Sequence, residues 1–259
     1  LEVYAYTKKE APLIPAGHLV AREQFELMTY GLRPLNVPLH SSLVLTDKKE
    51  LITLSGENFE YAINRENGFI SSMKFDNEEL LVAPMKPNFW RAPNDNDLGN
   101  GMPERCAIWK NLANDMSLQS IKIVEEEKHF AVVAAKYSLA GIPGELELSY
   151  RFFSTGDVGV QEHIILKDSL AEMPRFGMEI QVRTDLDSIE WFGRGPHENY
   201  IDRYTSAFKG RYQAAVSDLY HPYVRAQESA NHIDSRWFAV RSDDIGLFVS
   251  GNPLMHFSA

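Results

Sequence analysis

Apolar and polar positions alternate with a period of two along most of the chain, the spacing that turns successive side chains to opposite faces of a strand. Phe59-Glu60-Tyr61-Ala62-Ile63 shows the pattern, Asn67-Gly68 supplies a tight-turn signal, and Phe69 to Phe75 returns as an antiparallel partner. Ile121–Val124, Phe130–Ala134, Leu146–Phe152, Val158–Ile164, Met178–Val182, Trp237–Val240 and Leu247–Val249 repeat it. Upstream, Leu1 and Val3–Tyr6, Leu19–Ala21, Leu43–Leu45 and Leu51–Leu54 read as shorter strands. Pro12, Pro15-Ala16-Gly17, Pro34 and the solvated turn Asp47–Glu50 punctuate them. So many half-polar strands predict an all-β protein of antiparallel sheets, a sandwich or a barrel. Ser55-Gly56 is the first boundary signal, dividing residues 1–55 from 56–259. One helix is expected over Pro103–Ala113, with Pro103 at its first position and Cys106, Trp109 and Leu112 on its core face.

Four stretches interrupt the alternation with polar groups among aromatics: Asn88–Asp97, Trp191–Arg203, Tyr220–Glu228, and Asn231-His232 with Arg236-Trp237. These stretches read as polar loops of the kind sugar recognition needs, because hydroxyls take paired hydrogen bonds from carboxylates, amides and guanidinium groups while a pyranose face packs on a ring. The candidate ligands are Arg91, Asn94, Asp95, Arg194, His197, Glu198 and Glu228. The same residues also fit a purely structural role: Asn and Asp form turns, and Arg91, Arg194 and Arg203 are able to bridge carboxylates across a sheet edge. His197, His221 and His232, with Glu198 or Glu228, offer acid and base for aldose ring opening. His18, His40, His129, His163 and His256 fall in strand or turn contexts and carry no such expectation.

Charge narrows the classes of partner. With 26 basic against 36 acidic residues the chain carries −10, which argues against nucleic acid. The sequence has no apolar run of about 18 residues for a membrane span. A single cysteine, Cys106, excludes an intrachain disulfide and a thiolate cluster, and leaves cytoplasm and periplasm equally open. Asp95 and Asp97 lack the further ligands of a calcium loop, and no His pair has metal-binding spacing. Phosphate-loop and serine-hydrolase signatures are missing as well.

The stretch Phe89–Asp97 resembles the small-chain, or fifth, domain of the bacterial family 2 β-galactosidases. Further stretches follow in the family's order: Phe192–Tyr200, where His197 replaces the usual Gln, then Asp218–Val224, Gln227-Glu228-Ser229 and Arg236-Trp237. Pro15–His18 and Glu23–Leu27 are similar to the immunoglobulin-like domain that precedes it. The resemblance implies that residues 1–55 are part of an immunoglobulin-like β-sandwich and residues 56–259 an antiparallel supersandwich of the galactose-mutarotase type. It also implies a parent enzyme that hydrolyses terminal β-D-galactosides with retention.

In that family the catalytic glutamates and the magnesium and sodium ligands belong mainly to a TIM barrel, and this sequence contains none of those motifs. The expectation is a C-terminal piece without catalytic residues or cofactors of its own. Its partners would be a galactoside and the remaining domains of the parent, and its role to shape the sugar pocket. The chain ends before the family's tryptophan-bearing Gly-Gly-Asp-Ser-Trp-like stretch, so an uncovered sheet edge and homo-oligomer pairing are expected too. A galactoside-binding module without chemistry and an aldose mutarotase are the alternative readings.

Overall fold

The structure is a computed structural model that describes residues 1–28, 41–167 and 169–259. The turn expected at Pro34 and the context of His40 lie outside the described residues. In chain order the elements are β1 (Glu2–Tyr6), β2 (Leu19–Gln24), β3 (Val44–Asp47), β4 (Leu51–Ser55), β5 (Phe59–Asn64), β6 (Ile70–Phe75), β7 (Glu78–Glu79) and β8 (Lys86–Asn88). Helices α1 (Asp95–Gly99), α2 (Met102–Arg105) and α3 (Leu112–Asp115) follow, with a 3₁₀ turn at Ala107–Trp109. Then come β9 (Ser117–Glu126), β10 (Phe130–Ser138), β11 (Gly144–Phe153), β12 (Val158–Leu166), β13 (Gly177–Glu179), β14 (Ser188–Gly195), β15 (Phe208–Ala215), α4 (Val216–Leu219), β16 (Asn231–Arg241) and β17 (Gly246–Ser258). Among the described residues the paired strands are antiparallel and no sheet closes into a barrel, and the fold is all-β.

The described residues form two compact units. The first comprises those within Leu1–Pro34, Asp187–His221 and Ser229–Ala259, and the second those within Leu35–Leu186 and Pro222–Glu228.

The second unit contains the sheets β3-β4-β5-β6-β7 and β12-β11-β10-β9, and the short pair β8-β13. In β11 the alternation read from sequence is the burial pattern itself: Leu146, Leu148, Tyr150 and Phe152 are fully buried. Tyr61 of β5 meets Phe152 with ring centroids 5.2 Å apart, and Phe69 stacks on Tyr137 of β10 at 5.8 Å. Each buried Leu, Ile or Phe on these inner faces contributes roughly 1.5–3 kcal/mol. Asn67-Gly68 does turn β5 into β6, with Gly68 at φ +74°. A Cβ on Gly68 would lie 2.3 Å from the Tyr137 hydroxyl, which donates to the Asn67 carbonyl at 2.8 Å. The turn therefore requires glycine both for its left-handed backbone and for this close approach.

The single helix expected over Pro103–Ala113 is instead three short turns, α2, the 3₁₀ turn and α3, broken at Cys106 (φ −100°, ψ 10°) and Asn111 (φ −113°, ψ 5°). Cys106, Trp109 and Leu112 do face the core. Their strict spacing of three is the reason for the breaks: three residues fall short of an α-helical turn, so a continuous helix would drift off the core.

In the first unit, β15-β14-β16-β17 form one sheet and β1-β2 a separate hairpin. The hairpin is tied to β15 by Gln24, which accepts from the Lys209 amide and donates to the Lys209 carbonyl, both at 2.7 Å. The Arg22 guanidinium lies 4.5 Å over the Phe208 ring. Trp191, Tyr212, His232 and Phe257 make an aromatic core. The reading of Trp191–Arg203 and Asn231-His232 as loops is corrected here, since Trp191–Gly195 lies in β14 and Asn231–Arg241 in β16. Glycine hides the alternation: Ile189, Trp191, Gly193 and Gly195 are the buried positions, and only two of them are apolar side chains. Gly193 is needed because a Cβ there would come within 2.3 Å of Ser235 Oγ and 2.9 Å of the Ser235 Cα.

Candidate functional site

The seven candidate residues fall into two clusters, one in each unit. In the second unit Arg91, Asn94, Asp95 and Glu228 come together. Asn94 caps α1, accepting from the Asp97 amide through Oδ1 while Asp97 Oδ2 accepts from the Asn94 amide, both at 2.9 Å. This reciprocal box explains the Asn94-Asp95-Asn96-Asp97 sequence locally, since two donors orphaned at the helix start are satisfied and two carboxylates sit in its positive first turn.

Arg91 clasps the same carboxylate with both terminal nitrogens, Nη2 lying 3.1 Å from Asp97 Oδ1. Burial pushes the Asp97 carboxyl up, but Arg91, the Asn94 amide and the charge of Arg105 outweigh it and hold it below its ordinary value. Segment 222–228 closes on this turn. Gln227 Oε1 accepts from the Asp95 amide at 3.2 Å, Arg225 lies 3.4 Å from Asp95, and the Glu228 amide donates to the Pro93 carbonyl at 3.4 Å. The Glu228 side chain is only 8% exposed and takes a 2.8 Å hydrogen bond from Arg175. Asp95 and Arg225 are the exposed polar groups of this cluster.

In the first unit Arg194, His197 and Glu198 come together where β14 ends at the cis Gly195-Pro196 bond. Arg194 Nε donates to Asp234 at 2.7 Å and Nη1 to the Ala207 carbonyl at 2.9 Å, with the guanidinium 4.4 Å over the Tyr204 ring. His197 is exposed, its Nε2 2.9 Å from Ser206 Oγ. Glu198 bridges inward and outward, accepting from the Ala230 amide at 2.9 Å and from Arg203.

Asn199, 0% exposed, fastens this loop to β16. Its Nδ2 donates to the His197 carbonyl, its Oδ1 accepts from the Ile233 amide, its amide donates to the Asn231 carbonyl, and Asn231 Nδ2 donates in return to the Asn199 carbonyl. The Tyr204 and Tyr200 rings carry Arg194 and Arg203 over their faces.

Several partners escaped the sequence reading. Arg175, Ser206 and Asp234 have no motif around them, and only the arginine-carboxylate logic that named Arg194 and Arg203 as possible bridges pointed that way. Of the three candidate histidines, His197 and His221 are exposed and His232 is buried. Cys106 is buried, and burial pushes its thiol above the ordinary value. Among the described residues no three His, Cys, Asp or Glu side chains gather as a metal site. No helix among them is long and apolar enough to cross a membrane.

Comparison with known proteins agrees with the motif series. A β-galactosidase of Priestia megaterium is 30% identical over 252 residues, covering 97% of this chain and 24% of the relative. One of Streptococcus thermophilus is 28% identical over 261 residues, covering 100% and 25%, and one of Psychromonas ingrahamii 30% identical over 274 residues, covering 97% and 26%. The chain thus spans about a quarter of the length of these relatives. The family profile described as "Beta galactosidase small chain" matches residues 55–259, and the chain belongs to that family.

Proposed function

We propose that the chain acts as the small-chain region of a β-galactosidase, within a parent that hydrolyses terminal non-reducing β-D-galactosides with retention. The observation that carries this reading is the family match over residues 55–259, continued by relatives that align with nearly the whole chain. On this reading residues 1–55 belong to an immunoglobulin-like linker domain and residues 56–259 to a supersandwich of the mutarotase type. Its partners are the other domains of the parent, which supply the acid/base and nucleophile glutamates and bind magnesium and sodium. The contribution of this region is to buttress the catalytic domain and shape the sugar pocket, with Arg91, Asn94, Asp95, Arg194, His197, Glu198 and Glu228 as its candidate contacts.

The 259-residue chain alone should not turn over a chromogenic β-galactoside. Turnover comparable to an intact enzyme would overturn the proposal. A second reading, a galactoside-binding module without chemistry, is favoured by the exposed His197–Ser206 pair, which offers an imidazole and a hydroxyl side by side. Calorimetric titration with galactose and lactose separates the two, since heat from the isolated chain that disappears in His197→Ala supports the module.

A further inference from the structure

His232 lies where two segments of the first unit are joined. It opens β16, is 0% exposed, meets Trp191 of β14 edge-on at 4.5 Å between centroids and stacks on Phe257 of β17 at 5.1 Å. Both ring nitrogens face carbonyl oxygens, Nδ1 that of Ala230 at 3.1 Å and Nε2 that of Pro196 at 3.4 Å. These carbonyls flank the two strands of chain that Asn199 and Asn231 stitch together. A neutral imidazole has one N–H and so serves one of them; an imidazolium serves both but must place a full charge among aromatic rings, out of reach of water.

Burial acts most strongly on this ring and holds it below the ordinary imidazole value, against the pull of the Pro196 and Ala230 carbonyls and of Glu198. Glu198 and His197 are the titratable groups whose charges act on it, in opposite senses, while Trp191 and Phe257 present uncharged faces.

We infer that His232 is a proton-operated latch and a positioning residue: neutral, it pins loop 196–200 to residues 230–233, and protonated, it leaves its aromatic slot and releases that loop. Because the loop carries His197 and Glu198, the latch sets when those groups are held in place. That consequence rests on the function proposed above, whereas the latch itself does not.

The test uses amide hydrogen exchange of the full chain from about pH 7.5 to about pH 5, corrected for intrinsic exchange. Opening measured at the Asn199 and Ile233 amides should rise as the pH falls, by at most about tenfold per pH unit for one proton, while the β14–β16 ladder at Trp191 and Phe238 stays unchanged. His232→Gln should abolish the slope. A slope that survives in His232→Gln assigns the effect to Glu198 or His197 and overturns the inference. The ring-nitrogen NMR shifts of the unsubstituted chain decide the matter independently should the variant fail to fold: a titration that tracks the loop opening supports the latch, and a ring that remains neutral throughout overturns it. Neither measurement involves sugar, so a failed latch and a failed functional reading are distinguishable.

Discussion

The two polar clusters solve the same problem by different means. Around α1 the organising forces are charges: Asp97 is held by Arg91 and by the helix start, and Glu228 by Arg175. Around loop 196–200 the organising forces are neutral amides: Asn199 and Asn231 exchange hydrogen bonds within the buried end of β16. A charge network depends on pH and on both partners of each pair. A buried amide network has no titrating member of its own and answers to pH only through the neighbouring His232, but it has no tolerance for a missing member, since each orphaned donor or acceptor costs its full desolvation. The first cluster should therefore fail gradually with acid, and the second abruptly with mutation.

The strongest way to break this comparison is Asn199→Leu. It leaves the buried Ile233 amide unpaired and removes the partner of the part-buried His197 carbonyl, and the expected loss is about 3 kcal/mol in denaturant unfolding. A loss below about 1 kcal/mol would show that the amide network is not what holds the loop. Asp97→Asn should cost less, about 2 kcal/mol at neutral pH, because the amide still accepts from Asn94 while the charge toward Arg91 disappears. The sign of its pH dependence follows from the lowered carboxyl: the stabilisation is present above the ordinary carboxylate range and is lost as pH falls through the depressed native value. Melting curves of the two proteins should therefore converge in acid.

Glu162 sharpens the contrast from the opposite side. It is half-buried on β12 with Oε1 unpartnered, as is the hydroxyl of Tyr150, its diagonal neighbour across β11, and burial pushes the carboxyl up to about 8. Its folded value is raised, so the stability it contributes is present below the ordinary carboxylate range and is lost as pH rises through about 8. Glu162→Gln should be the more stable protein above that pH by about 1–2 kcal/mol, discounted for partial exposure, with the advantage vanishing in mild acid. The smallest effect belongs to Arg225→Ala. Its pair with Asp95 is exposed on both sides, and thermal unfolding should change by no more than about 0.5 kcal/mol.

How much of this was legible in the sequence differs between elements for physical reasons. The strands β5 and β11 announce themselves because their inner faces are filled by large apolar side chains at every second position, and β10 keeps the same period with Ala131, Val133, Ala135 and Tyr137, whereas in β6 the buried Ile70 and Met73 stand three apart. Strand β14 was hidden because two of its inward positions are glycines chosen for the approach of Ser235 and Tyr212, and glycine carries no hydrophobic signal. The capping box at Asn94 was readable only as turn chemistry, its reciprocal partner lying three residues on. The pairs Arg175–Glu228 and Arg194–Asp234 span 53 and 40 residues, and nothing local in a sequence marks such a distant partner. His232 looked like a polar loop residue because its neighbours Asn231 and Asp234 are polar; its ring packs against aromatic residues from two other strands.

The hydrogen bond from Tyr137 to the Asn67 carbonyl has a kinetic meaning. It joins the tip of the β5–β6 hairpin to the middle sheet strand that faces it, with Phe69 stacked alongside. The hairpin then has no private way to fray. Its opening requires the opposite sheet to let go of the Tyr137 ring as well, so the two layers should exchange their slowest amide protons together, as a single foldon would.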